Sequence, residues 1–310
     1  MKIFILGAGA LGSLLGARLS KTNEVLLYST NKKHIRNIQK NGLKIEELDG
    51  KIDIFKLDAV FHKDQIDFDP DLVLITLKTY SLEKGLKDIY NKFSPDTLYL
   101  TLQNGIGNIE KICSFISKSY VIAGTTGQGA TLIQPGFIKH GGNGITYIGE
   151  ISGEITERIN KIVENFNACD LETYVTDNIK NHIWKKLLIN IGINAITAIA
   201  KVKNGYIASS KWAREISQDA VLEALKVARA MGIDIDNDIF ELVVDIAKKT
   251  QKNISSMHQD IINKKQTEID SINGAIVEYG KKFDINTPVN KVLTNLIKLI
   301  EEKQKEEKDG

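Results

Sequence analysis

The chain predicts an α/β fold, a doubly wound N-terminal sheet domain followed by an all-helical C-terminal domain. Three observations carry that prediction. An apolar run, Lys2–Leu6, ends abruptly in Gly7-Ala8-Gly9-Ala10-Leu11-Gly12, with Gly16 four residues on. Short β-like runs then alternate with helical stretches, as in a doubly wound sheet. Past Thr176 the strand signals stop and helical periodicity takes over.

The first element reads as strand, glycine turn and helix start. Gly7 allows the turn, Gly9 lets the backbone approach a pyrophosphate, and Gly12 lets the helix pack on the strand. The free N–H groups and the dipole of the helix start favour negative charge. A lone G-x-G-x-x-G is weak evidence. Here it follows a strand pattern and opens a helical one, with Leu11, Leu14, Leu15 and Leu19, which is the context it needs. Gly7, Ala8, Gly9, Ala10, Leu11 and Gly12 are thus the candidate dinucleotide cradle of a Rossmann-type domain.

The second strand, Glu24–Tyr28, ends at Ser29-Thr30-Asn31-Lys32-Lys33. An NAD site usually has Asp or Glu there for the ribose 2′-hydroxyl. Glu24 lies at the wrong end. Hydroxyls, an amide and ammonium groups suit a 2′-phosphate, so the expected cofactor is NADP(H), with Ser29, Thr30 and Lys32 as contacts. The alternative is that the two lysines are a solvated helix start.

Further strands are expected at Leu72–Leu77, Thr97–Leu102, Tyr120–Gly124, Phe137–His140, Thr146–Gly149 and Leu171–Val175. Several are continuously apolar, as parallel strands covered on both faces are. Leu43–Leu57 resembles a hairpin inserted into or extending the sheet. Helices are expected at Asn178–Ala200, Ser210–Met231, Asp238–Thr250, Ile269–Phe283 and Pro288–Gln304, with a charged tail, Glu301–Gly310, that frays. The division is therefore residues 1–177, NADP(H)-binding, and 178–310, helical and catalytic, with the substrate expected in a cleft where they meet.

The chain has 310 residues and a net charge of +2, which offers no field for nucleic acid or an anionic membrane. Cys113 and Cys169 form no C-x-x-C pair and read as thiols of a reducing compartment. The N-terminus enters a strand directly, without a secretory pattern. The apolar stretch Leu187–Ala200 carries Asn190 and Asn194 and reads as too short and polar to span a bilayer. The histidines, His34, His62, His140, His182 and His258, show no metal-ligand spacing. A cytoplasmic protein without a metal is expected. The apolar stripes of the C-terminal helices fit packing within one chain or a homodimer.

Three places put polar groups where apolar ones are expected. Lys78 ends an apolar strand, at the end that faces a cofactor crevice, although a loop lysine in water would look the same. Asn104 ends another strand and precedes Gly105, which is also ordinary turn chemistry. Lys186, Asn190 and Asn194 are four residues apart and share one face of a largely apolar helix. Buried polar groups need partners, so this stripe points to a lined cleft. A helix edge reaching solvent is the alternative.

Taken together, these segments resemble ketopantoate reductase. The resemblance covers nearly the whole chain: Gly7–Gly12, Thr76-Leu77-Lys78, Gln103-Asn104-Gly105, Gly124-Thr125-Thr126, Asn143–Gly149, Trp184-Lys185-Lys186-Leu187 with Asn190 and Asn194, Asn253-Ile254-Ser255-Ser256-Met257, and Thr267-Glu268-Ile269-Asp270. It implies reduction of 2-dehydropantoate to pantoate with NADPH, on the route to pantothenate and coenzyme A. It implies Lys186 as general acid and Glu268 as the carboxylate positioning it. Asn190, Asn194, Ser256 and Asn104 become substrate contacts, and Lys78, Asn104 and Glu268 lie on the cofactor side. A cation that also donates a proton stabilises the oxygen that gains charge during hydride transfer. One departure stands out: the family's arginine after the second strand is absent, the stretch being Tyr28-Ser29-Thr30-Asn31.

The sequence is also compatible with two rival readings. A reductase of bulkier 2-oxo acids, making D-2-hydroxy acids, would keep Lys186 and Glu268. A nucleotide-sensing regulator that binds NADP(H) without catalysis would not need Lys186, Asn190, Asn194 and Glu268 together.

Overall fold

The structure is a computed structural model and describes residues 1–309. The chain divides into two compact units: residues 1–103 with 108–179, and residues 104–107 with the chain from Lys180 onward. A single cut between 177 and 178 therefore misses an excursion. The loop 104–107 leaves the sheet unit and packs with the helical one.

The first unit runs β1 (Lys2–Leu6), α1 (Ala10–Leu19), β2 (Glu24–Tyr28), α2 (Lys32–Asn41), β3 (Leu43–Glu46), β4 (Ile52–Phe55), β5 (Asp58–Val60), β6 (Leu72–Ile75), α3 (Leu82–Ile89), β7 (Leu98–Thr101), α4 (Asn108–Cys113), β8 (Val121–Thr126), β9 (Gly129–Gln134), β10 (Phe137–Gly142), β11 (Thr146–Glu150), α5 (Glu157–Asn167) and β12 (Thr173–Val175). Its main sheet has eight strands in the order β12-β11-β8-β7-β6-β1-β2-β5. β1 pairs in parallel with β2 on one side and β6 on the other, so the winding reverses beside it. That is the place where doubly wound sheets bind ligands. β11 runs antiparallel to β8.

β1 is apolar throughout because both its faces are covered. Ile3 and Ile5 join one core with Leu14, Leu15 and Leu27. Phe4 and Leu6 join another with Val73, Leu82 and Leu86. The expected hairpin is present, β3 pairing antiparallel with β4. It belongs to a second sheet of four strands, β4-β3-β10-β9. β9 was not foreseen, since Gly129–Gln134 is part-exposed and lacks a buried alternating face.

The second unit holds α6 (Ile179–Ala200), α7 (Tyr206–Ser209), α8 (Lys211–Ala230), α9 (Ile239–Lys249), α10 (Ser256–Ile262), α11 (Asn273–Lys282) and α12 (Pro288–Asp309). Three expectations need correction. The helix expected over Ile269–Phe283 is a 3-10 turn, Ile269–Ser271, followed by α11, because the chain bends at Ile272 (φ −108°, ψ −95°). The tail does not fray after Glu301: α12 continues to Asp309. The central apolar helix is not too short to span a bilayer. It has 22 residues and a window of mean hydropathy 1.3, but 61% of that window is buried. Its length comes from Ile179, Ile183 and Trp184 upstream. Its apolar side chains, Leu187, Leu188, Ile191 and Ala195, build the core of this unit with Val221, Ala224 and Val243.

One buried histidine ties the first unit together. His34 is fully buried. Its Nδ1 accepts from Gly136 N at 2.9 Å and its Nε2 meets Ser13 Oγ at 3.0 Å. The ring is therefore neutral, and burial pushes its pKa from 6.5 down to about 4. The unfolded chain binds this proton more readily, so stability is intact above pH 6.5 and falls as pH drops towards 4. The loss should reach about 3 kcal/mol. Urea unfolding of the natural chain and of His34→Gln at pH 7 and pH 4.5 checks this. Equal pH slopes would refute it.

Candidate active site

The glycine turn is built from both neighbouring strands. Gly7 N and Ala8 N donate to Tyr28 O at 3.1 and 2.8 Å, which ties the turn to the end of β2. Gly7 has φ +109°, and a Cβ there would meet Leu77 N at 2.7 Å. A Cβ on Gly12 would meet Gly7 O at 2.4 Å and Thr76 Oγ1 at 2.5 Å. Thr76 Oγ1 donates to Gly7 O. Gly7 and Gly12 are thus required by the protein's own packing.

Gly9 differs. It is exposed, and a Cβ there would meet nothing nearer than Gly7 O at 3.9 Å. Nothing inside the fold demands glycine, and the open space leaves room for a group from outside the chain to approach the backbone. The first turn of α1 carries no acidic residue and no side-chain cap on its N–H groups. Open backbone and unclaimed donors fit the pyrophosphate of a dinucleotide.

Around this turn the structure gathers the other expected cofactor residues. Ser29 and Thr30 follow Tyr28 directly. Ser29 Oγ accepts from Asn31 N, and the Asn31 side chain caps α2 by accepting from His34 N. Lys32 lies in the first turn of α2 with its ammonium 5.9 Å from the Phe61 ring. Glu24 is at the opposite end of β2, facing Lys2. Lys78 follows Leu77, whose backbone abuts Gly7. The Leu77 carbonyl accepts from Gln103 Nε2 at 2.7 Å, and Thr101 Oγ1 donates to Gln103 Oε1. Gln103 figures in the sequence only as part of the Gln103-Asn104-Gly105 segment, with no role of its own. It fixes the loop carrying Lys78, a role that only the side-by-side ends of β6 and β7 reveal.

The second unit gathers the other set. Lys186, Asn190 and Asn194 lie on α6, each four-residue step rising about 6 Å. Burial pushes the Lys186 ammonium down to about 8, and the Glu268 carboxylate pulls it up. Glu268 is buried. Its Oε2 accepts from Asn104 Nδ2 at 3.4 Å. Asn104 is carried there by the 104–107 loop, where Ile106 N donates to Ser271 O and Gly105 adopts φ +78° against Ser271. The structure thus joins Lys186, Glu268 and Asn104.

Farther along α6, Asn194 is 5% exposed and its Nδ2 has no partner. A buried unpaired amide costs about 1–3 kcal/mol, a cost that a bound ligand would offset. Asn190 is half-buried. Ser256 is exposed at the first position of α10. Its neighbour Ser255 is buried, caps α10 by accepting from His258 N, and bonds Thr197 Oγ1 at 2.8 Å. That pair pins the start of α10 to α6 one turn past Asn194. Thr197 carries no signal in the sequence, since hydroxyls in helices are common, and Ser255 figures there only within the Asn253–Met257 segment, with no role of its own. Among the described residues there is no cluster of metal-ligating side chains.

Comparison with known proteins covers both units. Residues 3–153 match the model for ketopantoate reductase PanE/ApbA, and residues 178–301 match the model for its C-terminal part. The 2-dehydropantoate 2-reductase of Pyrococcus horikoshii is 40% identical over 96% of this chain and 97% of its own length. A D-mandelate dehydrogenase solved with NADH and anilino(oxo)acetate superposes with a TM-score of 0.94 at 31% identity, covering 98% of this chain and 100% of that one. A PanE/ApbA family ketopantoate reductase from Ralstonia eutropha superposes at 0.90 with 29% identity, covering 98% and 100%. With both halves matched, the chain belongs to the ketopantoate reductase family.

Proposed function

We propose that this chain reduces 2-dehydropantoate to pantoate with NADPH, serving pantothenate and coenzyme A biosynthesis. One observation carries the reading: a part-buried lysine, lowered by desolvation to about 8 and opposed by the Glu268 carboxylate, shares its helix with an unpartnered buried amide. The sheet unit is the NADP(H)-binding part and the helical unit the catalytic part. Gly7 to Gly12 hold the pyrophosphate through backbone N–H groups, and Ser29, Thr30 and Lys32 face the 2′-phosphate, with Lys78 also on the cofactor side. NADPH, when bound, supplies the hydride for the C2 carbonyl.

Lys186 Nζ donates a proton to the C2 oxygen as that oxygen gains charge, so one group serves as acid and electrostatic partner. Glu268 orients the ammonium, and Asn104 holds the carboxylate. Asn190, Asn194 and Ser256 bind the polar groups of the substrate. Both cysteines are free thiols, in keeping with the cytoplasm as the place of action.

A second reading has a specific observation behind it: the mandelate dehydrogenase superposes at 0.94. On that reading the substrate is a 2-oxo acid with a bulky side chain. A panel of 2-oxo acids tested with NADPH separates the two. Ketopantoate is expected to give the highest kcat/KM. Faster turnover of an aryl 2-oxo acid would reverse the assignment.

A further inference from the structure

The family's arginine after the second strand is missing, yet the structure supplies a guanidinium from elsewhere. Arg36 lies one turn after Lys32 on α2, so the two share a face. Both cations sit over the same ring: Lys32 Nζ is 5.9 Å and the Arg36 guanidinium 5.4 Å from the centroid of Phe61. Phe61 arrives there by register. β2 and β5 are parallel, Tyr28 pairs with Val60, and Ser29 N donates to Val60 O. The ring therefore stands beside Ser29 and Thr30, at the carboxyl end of β2.

The charge pattern of α2 is hard to explain as structure. Helix starts favour acidic residues, and each misplaced cation costs about 0.3–1 kcal/mol. Here the first turn holds Lys32 and Lys33 and no acid, and the sequence through Asn41 contains no carboxylate. Neither Lys32 nor Arg36 forms an ion pair among the described residues. The carboxylate that follows Phe61, Asp64, faces His62 Nδ1 at 3.3 Å instead. Two like charges held against one aromatic ring, at a helix start and without an ion-pair partner among the described residues, make an anion site. A guanidinium held over a ring by a cation–π contact can still present its planar N–H fork to a phosphate, a geometry an ammonium cannot match.

We propose that Arg36, held on Phe61 beside Lys32, reads the 2′-phosphate of the cofactor and takes the place of the arginine absent after β2. The inference rests on the NADPH reading above and assigns its selectivity to residues on a different element. Arg36 is exposed, so its removal leaves the core untouched.

The test is calorimetric binding of two adenosine fragments, adenosine 2′,5′-bisphosphate and adenosine 5′-monophosphate, to the full chain without substrate. The natural chain should bind the bisphosphate more tightly. Arg36→Ala should weaken the bisphosphate by about tenfold or more, the worth of one charge-assisted contact, and leave the monophosphate unchanged. Phe61→Leu should give a smaller loss of the same kind, and Arg36→Lys should restore only part. Equal weakening of both fragments, or no change, overturns the assignment while the reductase reading stands. If the natural chain binds neither fragment, the dinucleotide reading itself falls, and this inference with it.

Discussion

Replacing Lys186 by alanine should stop turnover while NADPH still binds. On the proposed assignment, the proton donor and the cation that stabilises the forming alkoxide leave together. Proton donation alone is worth about 10²–10⁴-fold, and loss of charge stabilisation adds to it. The cofactor cradle lies in the other unit, so the Kd for NADPH should hold within about twofold. The pH profile supplies an independent check. Lys186 acts as an acid only when protonated, and its pKa is lowered to about 8. The kcat/KM for ketopantoate should be flat below that value and fall tenfold per pH unit above it. A survival of turnover within about tenfold, equivalent to about 1.4 kcal/mol of barrier, removes Lys186 from this role.

Two glycines three residues apart, Gly9 and Gly12, should fail in opposite ways. Gly9→Val should leave the fold unchanged, because no atom lies within 3.9 Å of the added Cβ and φ is −85°, open to any residue. The isopropyl group would fill the space a pyrophosphate needs, and NADPH affinity should drop about a hundredfold. Gly12→Val should instead lower the Tm by several degrees, because its Cβ would press on Gly7 O at 2.4 Å and Thr76 Oγ1 at 2.5 Å. Overpacking of that kind costs about 1–3 kcal/mol. Thermal melts and NADPH fluorescence titrations on both variants separate the two effects. A large Tm loss in Gly9→Val, or retained affinity, would refute the role of the open space.

Much of this was legible in the chain because local patterns are strong where burial is two-sided. β1 and β2 fall at the residues expected, since an apolar run bounded by glycine or hydroxyl residues has few other solutions. The stripe of Lys186, Asn190 and Asn194 was visible because helical spacing alone puts the three on one face. The bend at Ile272 was not, nor was the strand Gly129–Gln134, an edge strand held by the adjacent β10 and without the buried alternating face that announces a strand in sequence. The helical course of the charged tail was missed for a related reason. α12 is anchored by contacts such as Thr267 N on Glu301, which no local charge count reveals.

The amino-acid order alone specifies the kind of chemistry: a phosphate cradle, a hydroxyl-rich end to the second strand, and a lysine on a buried face. Folding decides the state of those groups. The lowered Lys186, the orphaned Asn194 amide and the meeting of Asn104 with Glu268, 164 residues away, arise from burial and chain crossing. So does the approach of Arg36 to Phe61, 25 positions later in the chain. Short-range patterns are written in spacing, whereas desolvation and partnership depend on which distant segments exclude water together.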